Sequence, residues 1–110
     1  VGVSRYRNLL TEVEAVRWYA NGDHPEDGPR NREGQVVRYF RDPFTLGERD
    51  CAHCGVRMHL HGWIDVAERG HIVCPGDWVV KAEGGEPHPV KDAVFRISYT
   101  RMEEKSCAVS

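Results

Sequence analysis

No stretch of this chain is apolar over the roughly 18 residues that a membrane-spanning helix needs, so the sequence excludes a helical bilayer protein. Charge of one sign is missing too. With 15 basic and 17 acidic residues the net charge is −2, a balance that draws the chain neither to nucleic acid nor to a membrane surface. The opening residues, Val1-Gly-Val-Ser-Arg-Tyr-Arg7, lack the apolar run of a secretory signal, and none is expected. No repeat, heptad or low-complexity segment is present. Gly84-Gly85 is not followed by a helix, so it reads as a turn and not as a phosphate-cradling loop. No nucleophile elbow raises a serine for a Ser-His-Asp arrangement. The chain has 110 residues, which bounds it to one domain with a modest core.

The chemistry that is present is concentrated between residues 51 and 74. Cys51-Ala-His-Cys54-Gly55 is followed by His59, His61 and His71-Ile-Val-Cys74. Three cysteines with interleaved histidines have the composition and spacing of a tetrahedral zinc site. Two thiolates three positions apart grip one ion from a single turn, and the glycine after them lets the backbone aim its N–H groups at the sulfurs. Such a cluster fits a reducing cytosol better than a disulfide scaffold. Cys51, Cys54 and Cys74 are the expected ligands. The fourth is open among His61, His71 and His59. His71 would complete a second knuckle with Cys74, but on a strand, positions three apart face opposite ways. His61 precedes Gly62, where the chain bends freely, and is preferred. A catalytic zinc would keep an open position. The deaminase pattern H-x-E with P-C-x-x-C is absent, since His59-Leu-His61 carries histidine at the third position. A closed, structural zinc is therefore expected, and structural zinc contributes on the order of 10 kcal/mol in minimal domains.

Around this segment the pattern is that of strands and turns. Residues 12–19 alternate and read as a strand, 20–34 as a loop dense in Gly, Pro, Asn and Asp, and 35–41 as a strand broken by Asp42-Pro43. Residues 48–61 read as irregular, with metal coordination replacing apolar packing. Residues 62–66 read as a strand, 68–70 as a turn, 71–74 as the partner strand and Pro75-Gly76-Asp77 as a tight turn. A strand over 78–81, the Gly84-Gly85 turn and a proline-interrupted edge segment over 86–90 follow. Residues 91–94 read as one helical turn. Residues 95–101 read as a last strand with Phe95, Ile97 and Tyr99 on one face. The expected fold is mainly β (β-dominated α+β), a single small barrel- or sandwich-like domain with a zinc-knuckle insertion. The domain is expected over residues 1–104, its zinc segment over 48–76, and a flexible tail over 105–110. Cys107-Ala-Val-Ser110 formally matches a prenylation signal, but no polybasic run precedes it and it reads as a frayed tail.

The string Val73-Cys-Pro-Gly-Asp-Trp-Val-Val80, then Gly85-Glu86, Pro89-Val-Lys91-Asp92, Phe95 and Tyr99, resembles small uncharacterised proteins of bacteriophages, those of actinobacteria in particular. The opening strand Glu12-Val-Glu-Ala-Val-Arg-Trp18, the C-x-x-C-G element at Cys51 to Gly55 and His-Gly-Trp-Ile-Asp at His61 to Asp65 are similar to the same group. The likeness covers roughly residues 5–20 and 50–102. At His88-Pro89-Val90 the chain departs from the aromatic and cysteine-containing stretch common there. The resemblance implies a phage origin and a place in the host bacterial cytoplasm or on the virion. It supplies no function.

Beyond the metal, Trp63, Asp77, Trp78, Lys81 and Lys91 form a candidate binding lip, with tryptophan to stack a ligand, aspartate to accept hydrogen bonds and lysines to meet phosphate. The plainer reading places Trp78 in the core, Trp63 over the metal, and Asp77 on local backbone N–H groups. Arg5, Arg7, Arg17, Arg38 and Arg41 add basic character that acidic residues offset. The functional expectation is a non-enzymatic, zinc-binding accessory protein that binds a host protein, a phage protein or a small metabolite. Its alternatives are a metal-dependent enzyme of nucleotide chemistry, with Asp65, Asp77 or Glu86 as base, and a structural virion component.

Overall fold

The computed structural model describes residues 3–8, 11–41, 45–66 and 69–101. The expected tail, Asp42-Pro43 and Glu68 lie outside the described residues. In chain order the strands are β1 (Ser4–Asn8), β2 (Thr11–Arg17), β3 (Arg38–Tyr39), β4 (Gly62–Val66), β5 (Arg69–Val73), β6 (Trp78–Ala82), β7 (His88–Val90) and β8 (Thr100–Arg101). A 3-10 turn, Met58–Leu60, precedes β4, and one helix, α1 (Asp92–Ser98), lies between β7 and β8. Among the described residues these strands make two antiparallel sheets, one ordered β7-β6-β2-β1-β8 and the other β3-β4-β5. The fold is a small, mainly β domain, as the pattern of short strands and turns implies. No helix of the described residues is long and apolar enough to cross a membrane.

The register explains how the core divides. Ala15 faces Val80 across the β2–β6 ladder, and Val16 faces Val79. Successive side chains point to opposite faces, so the larger sheet buries both of its sides. On one side Val13, Ala15 and Val80 pack with Phe95 of α1, flanked by Tyr6, Trp78 and Tyr99. On the other, Val79 joins Trp18, Val37, Ile64 and Val73, which binds the smaller sheet to the larger. That second contact covers only part of the face. Further along the same side Arg5, Glu12, Glu14 and Lys81 are exposed, and Arg5 pairs with Glu12 at 2.6 Å. Gly62 opens β4 where a Cβ would run into Val37, so the close approach of β4 to the core needs glycine there.

Three expected elements differ. The strand over 35–41 shrinks to Arg38–Tyr39. The amides that would have extended it bond to a side chain: Val36 and Val37 N–H donate to the buried Asp27 carboxylate at 2.6 and 3.2 Å, and within β3 Tyr39 N–H donates to Glu33 at 3.0 Å. Local carboxylates compete with the ladder and win. The helical turn expected at 91–94 extends into the last strand expected at 95–101: α1 runs over Asp92–Ser98, leaving Thr100–Arg101 as β8. Phe95 and Tyr99 lie four apart, which puts them on one face under either a two-residue or a 3.6-residue period. Their rings stack at 4.9 Å, and Phe95 stacks on Trp78 at 4.1 Å. The helical choice is supported at its first turn by Asp92, which accepts from Trp78 Nε1 at 2.9 Å and from Arg96 one turn on at 2.9 Å. Ile97 then turns to solvent, 86% exposed, instead of into the core. Finally, residues 69 and 70 of the turn expected at 68–70 belong to β5, which begins at Arg69.

Candidate metal centre

Residues 47–61 form a narrow, irregular loop whose backbone folds back on itself. Met58 N–H donates to Arg49 O and His59 N–H to Gly47 O, both at 2.8 Å. Asp50 and Arg57 form an isolated bridge closed by an ion pair at 3.4 Å. At the tip, Cys51 N–H reaches Val56 O and Gly55 N–H returns to Cys51 O, both at 2.9 Å. Gly55 holds φ at 79°, a left-handed conformation that a side chain would strain. His53 N–H points at Cys51 Sγ from 3.3 Å. This is the knuckle that the C-x-x-C-G spacing implies, built from turn geometry alone.

His61 arrives at the same point just after the 3-10 turn, and Cys74 from the end of β5. The donor atoms of Cys51, Cys54, His61 and Cys74 all lie within 4.8 Å of one another. Cys51 and Cys74 sulfurs are 3.8 Å apart, and Cys54 Sγ is 3.3 Å from His61 Nε2. Zn–S bonds of about 2.3 Å at tetrahedral angles require sulfur–sulfur edges of about 3.8 Å. The histidine is prepared as well. Its Nδ1 lies 3.0 Å from Arg57 O, and because a carbonyl only accepts, Nδ1 carries the hydrogen and Nε2 keeps its lone pair for a metal. The four residues can hold a metal such as zinc. His59, exposed on the 3-10 turn, and His71, on β5 opposite Ile64, stand outside this group.

The electrostatics of the metal-free protein point the same way. Burial opposes ionisation of Cys51, yet the N–H groups of Cys54 and His53, with His61 and Cys74, outweigh it and bring the thiol down to about 6. For Cys74, burial dominates and pushes the thiol up to about 12, although Lys91 pulls against it. The two sulfurs titrate as a pair, releasing one proton readily and holding the second back. A divalent cation between them removes the second proton.

Compared with protein-family models, curated proteins and solved structures, the chain shows no match. The site therefore rests on its own geometry.

The candidate binding lip does not assemble as one surface. Trp78 lies on the α1 side of the larger sheet, stacked on Phe95, whereas Lys81, three positions on, is exposed on the opposite side beside Glu14. Trp63 donates Nε1–H to Asp65 at 2.8 Å and meets Phe40 edge-on at 6.4 Å. Phe40 in turn packs on the cluster of Cys51, Met58 and Cys74, so Trp63 is one ring removed from the metal ligands. Asp77 is buried, and its Oδ2 accepts from Cys74 N–H at 2.9 Å and from Lys91 Nζ at 3.2 Å. Lys91 Nζ also lies 3.0 Å from Cys74 Sγ. The link from Lys91 to a metal ligand 17 residues earlier had no signal in the sequence, where Lys91 read as part of a solvated face. Beside the cluster a depression of about 360 Å³ is lined by Cys51 and Cys74 with Arg49, His53, Ile72 and Lys91.

Proposed function

We propose that this chain is a zinc-stapled binding domain of bacteriophage origin, not an enzyme, whose partner is a protein of the host or phage, or a small metabolite. The observation that carries the metal half of this reading is the convergence of three sulfurs and a correctly tautomeric imidazole within 4.8 Å. Four protein donors fill a tetrahedral zinc, which leaves no position for a reacting water. Asp77, one of the candidate bases, is already committed to Cys74 N–H and Lys91. The phage origin and the partner class rest on the resemblance of the Cys-Pro-Gly-Asp-Trp string and its companions. A second reading, a metal-dependent enzyme acting on nucleotides or similar small molecules, is favoured by the depression beside Cys51 and Cys74.

Elemental analysis and native mass spectrometry test the centre directly, with one zinc per chain expected. His61→Ala should weaken zinc binding by more than the roughly 10- to 100-fold typical of an outer-shell change, while His59→Ala and His71→Ala leave it unchanged. A chain that folds without metal and binds none refutes the staple. A fourth ligand that is water, seen in a zinc-loaded crystal or by X-ray absorption, moves the assignment to the enzyme. Affinity capture from host lysate with zinc-loaded bait, repeated with His61→Ala, tests the binding role.

A further inference from the structure

Lys91 has a side chain 46% exposed, yet a simple helix start does not explain where its ammonium lies. Its ammonium bridges two buried groups, Cys74 Sγ at 3.0 Å and Asp77 Oδ2 at 3.2 Å. Asp77 is 3% exposed and sits beside the metal ligand, whose backbone N–H it also accepts. Three thiolates and a neutral imidazole around a divalent ion carry a net charge of −1, and a buried carboxylate next to them adds another negative charge. Like charges so close and so poorly solvated are costly unless a cation compensates them. Lys91 is the cation placed between them. Its own carbonyl accepts Phe95 N–H at 2.8 Å, the first hydrogen bond of α1, so one residue joins the metal ligand to the helix that caps the larger sheet.

We infer that Lys91 is the outer-shell positioning residue of the metal centre. By donating a charge-assisted hydrogen bond to Cys74 Sγ, it holds that sulfur as a bound, weakly nucleophilic thiolate while its second bond ties it to Asp77. This inference rests on the zinc reading above, and it adds that the centre is a five-residue unit in which Cys74 is the least reactive ligand. The hydrogen bond withdraws electron density from sulfur, so it lowers the energy of the sulfur lone pair and raises the energy needed to move an electron from sulfur to a bound metal.

Cobalt(II) reports that quantity, because its sulfur-to-metal charge-transfer band follows the electron density on the thiolates. The experiment compares wild type, Lys91→Met and Lys91→Arg, each loaded with cobalt and, separately, titrated with zinc against a chromophoric chelator. Lys91→Met should keep the tetrahedral d–d bands, move the charge-transfer band to lower energy and weaken zinc binding by about 10- to 100-fold. Lys91→Arg should recover most of both. An unmoved band with zinc affinity within about twofold of wild type overturns the inference, and a lower melting temperature with both unmoved assigns Lys91 to the helix start alone. Absence of any charge-transfer band in wild type refutes the zinc reading itself, a different failure. If Lys91→Met does not fold, cadmium-113-loaded wild type decides. Scalar coupling from the metal to the Lys91 ammonium protons supports the bond, and its absence at a temperature where those protons are visible overturns it.

Discussion

Asp27→Ala removes the group that shapes the approach to β3. Asp27 is 4% exposed and accepts two amides, Val36 N–H at 2.6 Å and Val37 N–H at 3.2 Å. Val37 is fully buried in the cluster that joins the sheets, so its amide has no water to turn to. Hydrogen bonds to a charged group contribute about 1.5–3 kcal/mol each, and a buried donor left without a partner costs about 1–3 kcal/mol. The longer Val37 bond is the weaker of the two, and Val36 is only half-buried, so the expected loss is about 2–4 kcal/mol. Asp27→Asn keeps one carbonyl oxygen that can serve one of the amides, and about 1–2 kcal/mol is expected. Gly34→Ala should also destabilise, because a Cβ at Gly34 would come within 2.5 Å of Asp27 Cγ and 2.6 Å of Val37 O. Urea unfolding at fixed zinc concentration measures all three. An Asp27→Ala loss under about 0.5 kcal/mol, the range of ordinary surface changes, refutes the account of why β3 is short. So does an Asp27→Asn variant less stable than Asp27→Ala.

The choice of helix over strand at 92–98 has an equally direct test. Ile97→Asp should change stability by no more than about 0.5 kcal/mol, as at a surface position, while Phe95→Ala should cost about 3–5 kcal/mol. A severe Ile97→Asp loss would restore the strand, in which Ile97 shares the buried face. For pH, Asp92 is held below the usual carboxylate range, first by the Trp78 indole N–H and then by Arg17 and Arg96. A depressed folded-state value gives stability that is present above the unfolded value, near 3.9, and lost as pH falls through the lower one. Asp92→Asn should therefore flatten the acid limb of the stability profile below about pH 4, measured by thermal melts at constant ionic strength. An unchanged slope sinks the attribution.

The candidate metal cluster and strands β2, β4 and β6 were legible because their signals are local. Cys51 and Cys54 are three apart, Gly55 follows them, and the strands of β2, β4 and β6 alternate in stretches bounded by turn residues. What was hidden is long-range or degenerate. Asp27 reads as one more loop residue in a run of turn signals, and only the folded chain shows its carboxylate reaching nine residues on. Phe95 and Tyr99 satisfy both periods, and the sequence does not reveal that the decisive partner is Trp78, whose indole both stacks on Phe95 and anchors Asp92. Among His61, His71 and His59, His61 is the one whose ring joins Cys51, Cys54 and Cys74, and the contact of its Nδ1 with Arg57 O that orients it is invisible in the residue order. Lys91 needed the turn at Asp77 and the path of β6 and β7 to come within reach of Cys74.

The packing around the candidate metal cluster indicates which part of the chain a bound ion would hold. The two apolar clusters that hold the sheets and α1 together contain none of the four ligands. The cluster at the site is smaller, with Cys51, Met58 and Cys74 buried and Phe40 and Ile72 beside them. The 47–61 loop thus relies on a handful of turn hydrogen bonds and on its candidate ligands, whereas β2 and β6 pack on Phe95 of α1 on one side and, at Val79, on the smaller sheet on the other. Metal removal should open the loop locally while the sheets persist. In metal-free protein, the amides of Cys51, Gly55, Met58 and His59 should exchange at close to unstructured rates, and those of β2 and β6 should stay slow. Zinc should then protect both classes, because local opening and global unfolding alike must release the ion. The gain reaches about 4 kcal/mol, or about 1,000-fold in exchange, at free zinc a thousandfold above its dissociation constant. Hydrogen exchange by NMR distinguishes the outcomes. If loop and sheet amides of the metal-free chain exchange together, the ion holds the whole domain and the division of labour argued from the clusters is wrong. If the loop amides stay as slow as the sheet amides without metal, the turns alone secure the knuckle.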